Sequence, residues 1–172
     1  MLKRVFSILL VLCFLFSLCA CEKRAHIEKP ANFYYLSPEI SFHREDGMIT
    51  AEKREIAGIE NNIHTILAMY LQGPEGEGFV SPFPNNVYVV NVTQNTNILS
   101  ITLSDQFASL TGYDLSLACA CITLTVQELM DTQLVQISAQ NKLLDGAERI
   151  TMNKDSLVVF DDPLATVPKE EP

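Results

Sequence analysis

An apolar run over residues 5–20, opened by Lys3 and Arg4 and closed by Leu18-Cys19-Ala20-Cys21, decides how much of this chain is available to fold. Basic start, apolar centre and small residues before a cut are the three parts of a secretory signal. The run is shorter than the ~20 residues a spanning helix needs, and Glu22-Lys23-Arg24 follow it at once. Leu18, Cys19 and Ala20 before Cys21 read as a lipobox: the signal is cut before Cys21, whose thiol carries a diacylglyceryl group. The alternative is an uncleaved N-terminal anchor. Both readings place the rest of the chain outside the cytoplasm, and the first places it on the outer face of the cytoplasmic membrane.

Lipid on Cys21 has to supply the membrane attachment alone. One acyl chain holds a protein only marginally, whereas two, at ~0.8 kcal/mol per buried methylene, hold it stably. No basic patch assists: the 172-residue chain has 12 Lys and Arg against 21 Asp and Glu, a net charge of -9. Loss of Lys3 and Arg4 with the signal deepens that imbalance. Such a surface is repelled by phosphate backbones and by anionic head groups, which argues against a nucleic-acid partner.

Of the five cysteines, Cys13 and Cys19 belong to the signal and Cys21 to the lipid, leaving Cys119 and Cys121 in the folded part. Separated by one residue in a helical stretch, these two point to opposite sides and read as small buried apolar residues rather than a disulfide. The fold then depends on its core. The expected division is a signal over 1–20, a tether over 21–31, one domain over 32–160 and an acidic, proline-rich tail over 161–172.

Within the domain, Asn32-Phe33-Tyr34-Tyr35-Leu36 reads as a first strand stopped by Ser37-Pro38, and the first half of the mixed segment 48–56, after the Asp46-Gly47 turn, as a second. Ile59, Ile63, Ile66, Leu67, Tyr70 and Leu71 recur at three and four, giving an amphipathic helix over 57–72 that ends at Gly73-Pro74. His64 falls on its polar side. Gly73-Pro74-Glu75-Gly76-Glu77-Gly78 carries two glutamates and runs toward a strand, so it fits no phosphate cradle and is expected to be a flexible surface connection. Residues 87–93 and 98–103 read as a β-hairpin across 94–97. A second helix, apolar nearly all round and capped by Asp114, is expected over 114–130, then a core strand over 134–139. A closing hairpin over 148–160 completes the reading.

The chain carries no Gly-x-Ser-x-Gly elbow and no His-Glu-x-x-His, and of its three histidines His26 lies in the tether. Paired acids such as Glu75 with Glu77 belong on solvated loops in a chain this acidic. No catalytic residue, metal site or cofactor is expected.

The matching words Phe33-Tyr34-Tyr35-Leu36, Met69-Tyr70-Leu71-Gln72-Gly73-Pro74, Gly78-Phe79-Val80-Ser81-Pro82-Phe83-Pro84, Ile101-Thr102-Leu103-Ser104, and Thr123-Leu124-Thr125 before Val135-Gln136-Ile137 resemble, in their order and spacing, the GerMN domain of the sporulation and spore-germination family. The likeness covers residues 32–142, with one copy where members often carry two. It implies a non-enzymatic extracytoplasmic module that binds or assembles with envelope proteins, in sporulation, germination or a related envelope process. The partner is an envelope protein or a second copy of the chain. The fold expected is α+β: a mixed sheet of four or five strands with two helices packed on it, in the order β-(β)-α-β-β-α-β, plus the extra C-terminal hairpin. The competing reading is a small-molecule or glycan-binding, or cell-wall-acting, protein using the 73–86 loop. That reading requires a deep pocket lined by Tyr70, Phe79 and Phe83, which are also the candidates for a partner surface.

Overall fold

The computed structural model describes residues 30–38 and 48–157. The Leu18, Cys19, Ala20 and Cys21 motif, most of the tether, the tail and the end of the closing hairpin lie outside the described residues.

Among the described residues, six strands and two α-helices follow in the order β1 (Pro30–Leu36), β2 (Ile49–Glu55), α1 (Ile63–Tyr70), β3 (Val89–Asn95), β4 (Ile98–Leu103), α2 (Gly112–Leu129), β5 (Leu134–Ala139) and β6 (Ile150–Met152). The architecture is the α+β fold expected, with the strands divided between two sheets. β3-β4-β5-β6 form a mixed four-stranded sheet, parallel only between β4 and β5, while β1 and β2 make a separate antiparallel ribbon. The parallel pair is joined through α2, because parallel neighbours need a long crossover.

Period-two patterning sets which face of each strand is covered. Leu99, Ile101 and Leu103 of β4 and Val135, Ile137 and Ala139 of β5 are buried, and the residues between them are half-exposed. In β1 the buried set is Ala31, Phe33 and Tyr35. Helix α2 packs on β1 as well as on β5 and β6. Covered on both sides, it buries Leu115, Ala118, Cys119, Cys121, Ile122, Thr125 and Val126 along one broad face, and at its middle Ala120 and Thr123 are buried as well, so residues 118–123 are covered all round. The small Ala118, Cys119 and Cys121 let neighbouring backbone approach closely.

The edge of β1 away from β2 is closed by side chains and a loop rather than by another strand. Tyr34 N donates to Thr125 Oγ1 at 3.0 Å, Tyr70 Oη donates to Tyr34 O at 2.5 Å, and Leu36 exchanges backbone bonds with Val80. An edge satisfied in this way offers no template for pairing. Glu128 of α2 adds a further tie, accepting from Asn32 Nδ2 and from Tyr34 Oη.

Local chemistry shifts several expected boundaries. The first helix begins at Ile63, not near residue 57, because Gly58 takes φ 88° and the Asn62 side chain accepts from Thr65 N at 3.0 Å, capping the helix there. Its last helical residue is Tyr70, two short of the expected residue 72, with Leu71 as C-cap, and the chain turns away at Gly73, φ 101°. The hairpin closes more tightly than expected, since Asn95 pairs with Ile98 and leaves Thr96-Asn97 as a two-residue turn. The N-cap position of helix α2 is Thr111, whose side chain makes no capping bond, and Asp114 sits in the first turn, where its charge complements the helix dipole. Of the closing hairpin, the first strand forms as β6 and pairs with β5, Lys154–Ser156 makes a 3-10 turn at the expected bend, and residues 158–160 of the second strand lie outside the described residues. Among the described residues no helix is long and apolar enough to cross a membrane.

Candidate functional site

Two of the most polar residues of β2 point inward. Glu52 and Arg54 are 7% and 6% exposed, on the face shared with Ile56, while Ala51, Lys53 and Glu55 face solvent. Arg54 Nε lies 2.6 Å from Glu52 Oε2, and its guanidinium carbon sits 5.4 Å from the ring centres of both Phe33 and Tyr35. Burial of charge is tolerated only when pairing and hydrogen bonds are complete. Here the ion pair is supported on both sides: Arg54 Nη2 donates to Gly73 O at 2.5 Å, and Glu52 Oε1 accepts from Glu75 N at 3.0 Å and Gly76 N at 2.6 Å.

The glycine-rich loop is therefore fastened to the ribbon, contrary to the flexible connection expected of it. Gly76 suits that contact, since a Cβ there would lie 3.0 Å from the Phe79 ring and 3.1 Å from Glu52 Oε1, tight enough that both would have to shift. Tyr35 adds a second fastening, its hydroxyl donating to Tyr70 O at 2.9 Å and Gly73 O at 3.1 Å. A Glu and an Arg in alternate positions of a strand facing aromatic partners are the one signal that could have shown this pair in advance.

Tyr70, Phe79 and Phe83 come together, but around one another. Tyr70 is fully buried, with ring centres 5.0 Å from both Tyr35 and Phe83 and 5.6 Å from Phe33. Phe79 is half-buried against Tyr35, and Phe83 is buried. These are stacking and edge-on contacts that fill a core. Of the three, Phe83 lines a shallow groove of about 280 Å³, shared with Leu36, Pro82, Pro84, Leu110 and Leu117 and bordered by Asp114. The two prolines stiffen one wall, and the fastened loop leads directly into it.

Burial shifts the proton affinities of several groups. It pushes Cys119 up to about 12 and raises Cys121 further, with the neighbouring Cys119 adding to the effect. Both thiols are free and buried. Tyr34 is pushed up to about 12 by burial and then by its bond to Glu128, while burial raises Tyr35 and Tyr70 as well. An acid whose folded value is raised loses its proton first in the unfolded chain. Its contribution is complete below the unfolded value, 9.0 for the thiols, and is lost as pH rises toward the folded one. Each thiol then removes about 1.4 kcal/mol of stability per pH unit across that window. The urea midpoint should hold level up to about pH 8.5 and fall steeply beyond it; a level midpoint up to about pH 10.5 would refute the buried-thiol account. Among the described residues no group of three or more His, Cys, Asp or Glu is placed to hold a metal ion.

The profile of the family described as Germane, sporulation and spore germination, matches residues 32–145, which takes in the ribbon, both helices and the sheet through β5. The chain belongs to that family. Its GerMN-like domain is a non-catalytic module. Among solved structures, the chain is similar to the first GerMN domain of the sporulation protein GerM from Bacillus subtilis, with TM-score 0.54 and 17% identity over 70% of this chain and 91% of that one. It is also similar to the tandem GerMN domains of the same protein, with TM-score 0.53 and 16% identity over 78% of this chain and 48% of that one. The chain thus spans about half the length of the tandem structure. At these identities the likeness is one of fold. No curated protein matches significantly.

Proposed function

We propose that this chain is a lipid-anchored extracytoplasmic module that docks or assembles with envelope proteins in sporulation, spore germination or a related envelope process. The family match over residues 32–145 carries this reading. The Leu18-Cys19-Ala20-Cys21 motif supports the anchor and the location on the outer face of the cytoplasmic membrane. The groove beside Phe83 supports a docking surface: it is shallow and mostly apolar, and one wall is held stiff by prolines. Phe79 and Tyr70 support that surface from beneath, and the partner is an envelope protein or a second copy of this chain.

A photo-cross-linking side chain at Asp114, on the border of the groove, should capture a defined envelope protein in intact cells, or a product of twice the chain's mass if copies associate. The same probe at Asn95, at the hairpin tip, serves as the control. Recovery of nothing from Asp114 in both growing and sporulating cells would overturn the docking reading. The anchor has its own test, since Cys21→Ala should move nearly all of the protein from the membrane to the soluble fraction. Retention of the variant on membranes would replace the lipid with an uncleaved helix.

A further inference from the structure

The open face of the main sheet carries an array of neutral polar side chains. In the register of the strands, Thr93, Ser100, Gln136 and Thr151 form one row across all four strands, and Thr102 and Ser138 lie side by side in the next. This face lies opposite the one that Leu99, Ile101, Val135 and Ile137 bury against the helices. A solvated sheet face commonly carries charged residues of both signs, and this chain has 33 of them to place. None falls in these rows. Over their centre is a cavity of about 320 Å³ lined by Ser100, Thr102, Gln136 and Ser138, and completed by Glu148 and Arg149 at the approach to β6.

The hydrogen bonds within the array leave defined valences for a ligand. Ser100 Oγ donates to Gln136 Oε1 at 3.2 Å, and Arg149 Nη1 lies 3.5 Å from the same oxygen. With that oxygen occupied, the amide nitrogen of Gln136 presents its two donors. Ser138 Oγ is within donating reach of Thr102 Oγ1 at 3.3 Å and of Ile101 O at 3.5 Å, so the two hydroxyls add both donor and acceptor capacity to the cavity. Glu148 supplies an acceptor and Arg149 further donors. Sites that mix donors and acceptors at short range suit ligands whose groups do both, and hydroxyls are the commonest of these.

Charge narrows the class. Glu148 and Arg149 cancel within the cavity, and the chain as a whole is strongly acidic, so a polyanion is repelled. Neutral hydroxyls and amides also exchange their water for ligand hydroxyls without the cost of stripping a charge. Neighbours within a row about 4.8 Å apart, with the rows themselves about 6.8 Å apart along the strands, form a grid on the scale of a sugar ring. We infer that this cavity on the open sheet face binds an uncharged, hydroxyl-rich glycan. The site is separate from the groove beside Phe83, and its occupancy does not depend on the docking reading.

The test uses the full chain in detergent micelles, with cellotetraose and chitotetraose as probes and backbone amide shifts as the readout. One of these neutral sugars should produce saturable shifts centred on Ser100, Thr102, Gln136 and Ser138. Gln136→Ala and Arg149→Ala should each weaken binding by about tenfold, the loss expected when one or two net hydrogen bonds are removed. Both side chains are at least partly exposed, so both variants should keep the far-ultraviolet spectrum of the parent. Thr102→Ala removes a further hydroxyl from the cavity lining and should weaken binding as well. Absence of saturable shifts up to the solubility limit of both sugars would overturn the inference. So would shifts centred on residues 73–86, undiminished binding by the variants, or the same shifts produced by inorganic phosphate.

Discussion

Arg54→Ala should lower the unfolding free energy by about 3–5 kcal/mol, the usual cost of breaking a buried ion pair from one side. The substitution leaves the Glu52 carboxylate enclosed without its countercharge, strips Gly73 O of a donor, and opens the space between the Phe33 and Tyr35 rings. Replacing both charges by neutral groups of similar shape, Glu52→Gln with Arg54→Met, should bring the loss back to about 1 kcal/mol. The glutamine oxygen can still accept from Glu75 N and Gly76 N, and the methionine stem refills the space between the rings. Denaturant midpoints measured at constant m-value separate these outcomes. An Arg54→Ala midpoint equal to that of the parent would show that the pair contributes nothing to the fold. Equal losses in the single and double variants would show that shape rather than charge holds the loop.

Tyr70→Ala should be about as costly, at about 3–5 kcal/mol, for a different reason. Tyr70 stands at the centre of the aromatic cluster, in contact with Phe33, Tyr35 and Phe83, with no exposed surface. Its removal leaves a cavity that three large rings cannot close without leaving their own packing. Tyr70→Phe keeps the ring and loses the bond to Tyr34 O together with the hydrogen bond between the hydroxyl and Thr125, so its cost should be about 1–2 kcal/mol, the price of these bonds and an unpaired carbonyl. The large-to-small ratio between these two variants is the readout. If Tyr70→Phe costs as much as Tyr70→Ala, the hydroxyl and not the ring organises this region.

Both predictions concern the same unit, in which the β1-β2 ribbon, the end of α1 and the loop over 73–84 are joined through side chains. Gly73 O takes bonds from Arg54 and Tyr35, and Glu52 takes the next two amides of the loop. This arrangement gives Pro82, Phe83 and Pro84 a fixed base, so the groove they line is formed before any partner arrives. A preformed surface loses less ordering entropy on binding than a loop that must settle first. Loosening the loop through Arg54 should therefore weaken capture at Asp114 as well as stability.

Much of the domain was legible in the residues alone. Alternation in β4 and β5, the three-and-four spacing before Gly73 and the all-round apolar stretch after Gly112 are local patterns set by backbone periodicity. They identified the elements and the α+β class. The order of short words such as Tyr70-Leu71-Gln72-Gly73-Pro74 pointed to the family. Tertiary structure alone decided that β1 and β2 stand apart from the main sheet, because strand partnership depends on which distant edges meet and leaves no local trace. It also decided that Glu52 and Arg54 turn inward. Charged residues in a strand read as solvent-facing until the aromatic face of β1 and the amides of a loop some twenty residues away supply what water would otherwise provide. The role of Tyr70 and Phe83 was settled in the same way: spacing marked them as an apolar face, and only the packing of Phe33, Tyr35 and Phe79 around them made that face an interior.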